Sequence, residues 1–242
     1  MNRVLISIND VRKFRQIGKQ INQTDFDARA KEVQDNELTE LLGRSLMYDF
    51  MNFLDNGFTL QGGSFTRNTT SQFTAEGADL SAWVDYSLKL NDSIFVIVKT
   101  AVFGGADTIV TIEGYELPET LSKVEFSTEN KYIKLLNGAI YQLSSKTVMF
   151  NGLRPFMSWK FLAIFTTDGS LKHSDTGNIS IISPNFERSS NAAMNAARST
   201  YLSNSIREEN HITDYLNGES SLYPLWESKG TQNIDNFGFI VI

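Results

Sequence analysis

The sequence predicts an α+β protein: a helical core interrupted by a small β-rich unit. Two observations lead there. Apolar residues recur at helical spacing over 31–57 and again over 186–216, the first run being Leu38, Leu41, Leu42, Leu46, Phe50 and Leu54. Between these runs, residues 58–129 turn to short β-branched and aromatic stretches separated by Gly, Asn, Asp and Pro. The chain has 242 residues and is 41% hydrophobic, enough for one large domain or two small ones with a packed core. The expected division is a discontinuous core, 1–57 and 130–228, mainly helical with a short hairpin. An inserted β-rich domain occupies 58–129, and an extended C-terminal tail 229–242.

The elements follow in order. "RVLISI" reads as a short strand, with a turn at Asn9-Asp10 and a short helix over 11–17. Thr24 or Asp25 can cap a long helix, which Asn56-Gly57 stops. The strand-like runs "WVDYSLKL", "SIFVIVKTAVF", "DTIVTIEGY" and "KVEFS" follow, and "VFGGAD" is a hairpin turn. The tripeptide Gly-Ala-Asp occurs at 77–79 and 105–107, a match of chance or of shared turn chemistry and not a repeat. "LLNGAIYQLSSKTVMFNG" reads as two short strands joined by a Ser-Ser turn. "LRPFMSWKFLAIFTTDG" reads as a central apolar helix, with Pro155 in its first turn. "HSDTGNISIISP" is a turn and short strand, and a long helix over 186–216 ends near Gly218, Tyr223, Pro224 and Trp226.

Gly43 sits inside an otherwise regular helix, at a cost of about 1 kcal/mol relative to alanine. Small residues also line the second long helix, where Ala193, Ala197 and Tyr201 share a face at i, i+4 spacing. The expectation is that Gly43, Ala193, Ala197 and Tyr201 form a close helix contact, within the chain or between subunits; the alternative is that Gly43 is a kink site of no consequence.

Catalytic patterns are missing. With no cysteine, thiolate nucleophiles, disulfides and cysteine–zinc sites are excluded. His173 and His211 are isolated, and no HExxH, Walker loop or nucleophile elbow is present. "DGSLKHSD" resembles a calcium loop for a few residues only. No enzyme, cofactor or metal is expected. The net charge of −6 argues against general nucleic-acid binding. "MNRVLISIND" does not read as a signal peptide, and no run has the ~18 apolar residues that would span a membrane.

Four stretches resemble the head–tail connector, or neck adaptor, proteins of tailed bacteriophages. "VQDNELTELLGRSLMYDF" is similar to that family's first long helix, with Gly43 on its glycine. "YIKLLNGAIY" and then "FNGLRPFMSWKFLAIF" resemble the version in crAss-like and other Bacteroidetes phages. Ala139 stands where the pattern has a second glycine, and Arg154 where it has lysine. "ITDYLNGESSLYPLW" resembles the closing signature. The resemblance covers about 1–57 and 130–228. It implies a helical-bundle adaptor core and a ring of about twelve copies closing by rotation. It also implies docking to the portal and to other neck or tail rings, and a channel that DNA passes through without specific binding. The place implied is the virion neck, after synthesis in the bacterial cytoplasm.

Residues 231–242, "TQNIDNFGFIVI", read as a strand that pairs with a neighbouring subunit or ring through Phe237, Phe239, Ile240, Val241 and Ile242; the alternative is an edge strand folded back on its own subunit. A competing reading is a carbohydrate- or host-surface-binding module that presents Trp83, Tyr86 and Phe103 to sugar.

Overall fold

Ser7 opens the first helix. Its N–H donates to the Asp10 carboxylate and the Asp10 N–H donates back to the Ser7 hydroxyl, a reciprocal cap. Helix α1 (Ile8–Arg12) follows in the computed structural model of the chain. The structure describes residues 3–15, 22–143, 145–165, 179–182, 185–188 and 191–227, with the backbone alone for 165, 179–182, 185–188 and 191–194. The expected turn at Asn9-Asp10 is thus the first turn of a helix. The expected opening strand is extended chain with no strand partner among the described residues. Gln34 holds it instead: its amide accepts from Leu5 N–H and donates to the Arg3 carbonyl.

The long first helix is broken twice. α2 (Gln23–Val33) is capped by Asn22, which accepts from Thr24 N–H, so neither Thr24 nor Asp25 is the cap. A π turn over Gln34–Leu38 leads into α3 (Thr39–Leu42). At Gly43 the backbone leaves the helical region, with φ 76° and ψ 155°, and α4 (Arg44–Asn56) starts afresh. A side chain at Gly43 would meet nothing within 4 Å. Close packing within the chain is therefore not its purpose. Glycine is there because that φ/ψ region is essentially closed to other residues. Gly57 ends α4, as expected.

Seven strands form one antiparallel sheet in the order β1-β7-β4-β5-β6-β3-β2. They are β1 (Thr59–Gln61), β2 (Ser64–Arg67), β3 (Gln72–Glu76), β4 (Ser87–Leu90), β5 (Ile94–Phe103), β6 (Thr108–Glu113) and β7 (Val124–Ser127). The β5–β6 turn contains Gly104-Gly105, as the glycines predict. The two Gly-Ala-Asp turns meet: Asp107 accepts from Gly77 N–H, and the Thr108 hydroxyl donates to the Ala78 carbonyl.

β5 belongs to two cores at once, because its side chains alternate across the sheet. Val96 and Val98 join the sheet's own apolar cluster, with Phe73, Trp83, Leu88 and Val110. Phe95 and Ile97 join the larger cluster built by the helices. Beside Phe95 lies a buried ion pair, Lys89 with Glu125 at 3.0 Å, and the Lys89 ammonium sits 5.2 Å from the Phe58 ring.

α5 (Lys131–Asn137), the hairpin β8 (Ala139–Leu143) and β9 (Lys146–Phe150), and α6 (Leu153–Phe165) follow. Leu135, Leu136 and Asn137, expected in the first strand, are helical. Ser145, at φ 68°, lies in the turn between β8 and β9, where the Ser-Ser pair predicts one. Pro155 is in the first turn of α6, and Phe156, Met157, Phe161 and Leu162 are buried. β10 (Ile179–Ile182) pairs antiparallel with β11 (Asn185–Arg188), so Phe186 is in a strand rather than opening the last helix. That helix, α7 (Asn191–Gly218), runs along α6. The fold class is α+β.

Candidate docking surface

The stretch from α5 to α6 is shaped by two glycines. Gly138 has φ 105° and Gly152 has φ 85°. A Cβ on Gly138 would run into the Phe150 carbonyl, and one on Gly152 into the Leu136 carbonyl. The base of the hairpin is therefore a backbone-to-backbone contact that only glycine permits. Above this base, the β8–β9 pair has one inward and one outward face.

The inward face joins an aromatic chain. Phe150 stacks on Tyr215 of α7, with centroids 4.2 Å apart, and Tyr141 meets the same ring edge-on at 5.2 Å. The hydroxyls of Tyr215 and Tyr223 lie 3.2 Å apart, and Tyr223 donates to the Lys131 carbonyl at 2.7 Å. Tyr132 packs against Tyr223 and donates to Asp49 on α4. Burial pushes the Tyr132, Tyr141, Tyr215 and Tyr223 phenols up from the usual tyrosine value; the bond to Asp49 adds to this for Tyr132.

The outward face is different. Ile140 lies directly opposite Met149, and they are 72% and 73% exposed. Beside them Gln142 donates to the Thr147 hydroxyl. Among the described residues no third strand joins this pair. An exposed apolar cross-strand pair on a rigid base is suited to protein contact, not to chemistry.

A second feature lies at the seam between helices and sheet. Asp10, buried on α1, accepts from the Ser7 hydroxyl at 2.9 Å and from Arg154 of α6 at 3.0 Å. The Arg154 Nε–H donates to Asn137, and the guanidinium lies 4.5 Å from the centre of the Tyr115 ring. Asn137 in turn donates to the Phe95 carbonyl of β5. A cleft of about 460 Å³ opens here, lined by Ser7, Lys13, Tyr115 and Arg154 among others. The charged groups at its floor are spent on one another, so the seam is a fastening.

The expected contact residues fall in different places. Gly43 is exposed, on the α3–α4 break. Ala197 packs against the helical core, and Tyr201 is buried with its ring over Trp159 of α6. Ala193 lies in α7, with its side chain outside the described part. The structure does not bring Gly43 together with this face, because α7 spends it on α6. Phe237, Phe239, Ile240, Val241 and Ile242 lie outside the described residues, as do His173 and the calcium-like stretch. His211 stands half in solvent beside Glu208. Trp83 and Tyr86 both stack on Phe126, leaving Phe103 at the far end of β5 as the most open of the three aromatics. The described residues contain no cluster of His, Asp or Glu fit to hold a metal.

A protein-family profile matches residues 114–236, about half of the chain; its description is a family of unknown function, DUF6712. The chain belongs to the DUF6712 family. The DUF6712 match runs from the end of β6 through α5, the hairpin, α6 and α7, and so contains the exposed hairpin and its aromatic support. No curated protein and no solved structure matches the chain.

The buried Asp10–Arg154 fastening and the Gln34 bracket escaped the sequence reading. Ser7-x-x-Asp10 is a capping-box pattern and carried the signal for α1. Nothing in the sequence links Arg154 to Asp10, which stands 144 positions away.

Proposed function

We propose that this chain is a structural protein of a tailed-phage virion, forming a ring in the neck that joins the portal to the tail and lets the genome pass. One observation carries the reading. The stretch that resembles the connector family, "YIKLLNGAIY" to "FNGLRPFMSW", folds as helix, hairpin and helix tied at the base by the Gly138–Gly152 contact, with Ile140 and Met149 displayed on the outward face. A rigid base with an exposed apolar ridge suits a subunit or partner contact. On this reading the helices and hairpin are the adaptor core, and residues 58–129 are an insertion joined to it through β5. The partners are further copies of the chain, the portal, and neighbouring neck or tail rings. No described helix is long and apolar enough to cross a membrane, and none is needed for this role. The role is structural, without catalysis or cofactor. DNA passes through the lumen unbound, helped if the chain's excess carboxylates face inward.

The test is electron microscopy of the purified protein alone and with its portal. A closed ring of about twelve copies stacked on the portal is expected. A chain that stays monomeric and ignores the portal at micromolar concentration overturns the reading.

A further inference from the structure

We propose that the β8–β9 hairpin is the acceptor for residues 237–242 of a neighbouring copy, which adds a third strand and covers Ile140 and Met149. This rests on the ring reading above and names the contact that links one subunit to the next.

Three observations meet here. First, the hairpin's inward face packs on α7 but its strand edges are open, since no third strand joins the pair among the described residues. Second, its outward face offers an apolar pair at strand spacing, more than 70% exposed, on a base that cannot shift without breaking the Gly138–Gly152 contact. Third, "FGFIVI" is a strand-type run of matching character, and its spacer is polar and long. The last described turn is anchored where the Trp226 indole donates to Asn217. Gly218 lies under Tyr141 and Leu143, so the hairpin stands beside that anchor. Residues 227–236 span about 33 Å when extended, a reach that fits a crossing to the next molecule. Main-chain hydrogen bonds would give the affinity, and alternate side chains would cover Ile140 and Met149. Because donor and acceptor are different parts of the chain, the contact is head-to-tail and propagates around a ring.

Two full-chain variants test this by complementation. One carries Ile140→Lys and Met149→Lys, which removes the acceptor face and keeps the donor. The other lacks residues 234–242, which removes the donor and keeps the acceptor. Circular dichroism and thermal melts check that both fold as the parent does. In sedimentation velocity the parent is expected to associate, and each variant alone to associate at least ten-fold more weakly. An equimolar mixture of the two should recover a one-to-one dimer that cannot grow further. A mixture that remains monomeric overturns the proposal. So does a parent that is monomeric throughout and loses melting temperature on truncation, since the segment then pairs within its own chain. The ring reading fails separately: both variants assembling normally on the portal removes only the strand contact, whereas complementation without portal binding removes only the neck assignment.

Discussion

Gly43 shows how one residue can be explained by backbone alone. Its φ of 76° and ψ of 155° lie where a Cβ is strained, yet the space around it is empty. Gly43→Ala and Gly43→Leu are therefore expected to destabilise the monomer to a similar extent, by about 1–3 kcal/mol, in chemical denaturation. A Leu variant far worse than Ala would indicate a packing clash instead. Arg154 is the opposite case, fixed wholly by its partners. It grips Asp10 and Asn137 and lies over Tyr115, three contacts that one planar fork can make together. Arg154→Ala removes the hydrogen-bonded cation of buried Asp10, leaving only the largely exposed Lys13 at 3.6 Å, and should cost about 3 kcal/mol. Arg154→Lys keeps the charge but not the fork, and should recover only part of that loss. Equal stability of the Lys variant and the parent would contradict this account.

At the level of elements, the tyrosine chain makes a prediction about pH. Tyr132, Tyr141, Tyr215 and Tyr223 hold their protons to higher pH in the folded chain than in the unfolded one, chiefly through burial. The unfolded chain ionises first, near the ordinary tyrosine value of 10.0. The stability these phenols contribute is thus complete below about pH 10 and is lost as the pH rises beyond it. Thermal melts from about pH 8 to 11 should show a constant melting temperature that then falls. Tyrosinate absorbance should lag behind that of the denatured chain. A full tyrosine titration near pH 10 without unfolding would rule this out.

Much at this scale was legible in the sequence. The strands, the glycine turn, the Ser-Ser hairpin and the apolar α6 each announce themselves through local period and turn residues. The breaks in the first helix were not legible. Leu38, Leu41, Leu42 and Leu46 keep their spacing across both the π turn and Gly43, so the pattern looks continuous while the backbone is not. The same limit hid Phe186 in a strand, since its neighbours offer no turn signal strong enough to separate it from α7. For the docking surface, the hairpin could be placed from sequence. Which of its faces lies bare depends on where α7 lies, and that is tertiary.

For the molecule as a whole, β5 decides how separable the sheet is. Phe95 and Ile97 are part of the helical cluster, and Asn137 and Tyr115 add polar ties across the seam. An inserted domain at 58–129 implies a detachable sheet, one that a short linker could replace to leave a helical, soluble protein. The shared strand now predicts otherwise. Phe95→Ala should cost about 3–5 kcal/mol and lower a single cooperative transition, monitored both by helix signal and by the Trp83 environment. Two transitions, with only the helical one displaced, would mean that the sheet folds on its own. Linker replacement should then leave the helices with an open apolar face.

The fastening between Asp10 and Arg154 also has a timetable. Asp10 leaves the ribosome 144 residues ahead of its partner, a wait of about 7–30 s at ordinary rates of synthesis. Through that interval Asp10 has only the neighbouring Lys13 for a cation, and a contact spanning so much chain is expected to form late. Interactions made late hold the native state in place without hastening its arrival. Loss of the pair should quicken unfolding several-fold while refolding proceeds at its former pace. Resistance to opening, not speed of folding, is what this pair is expected to supply.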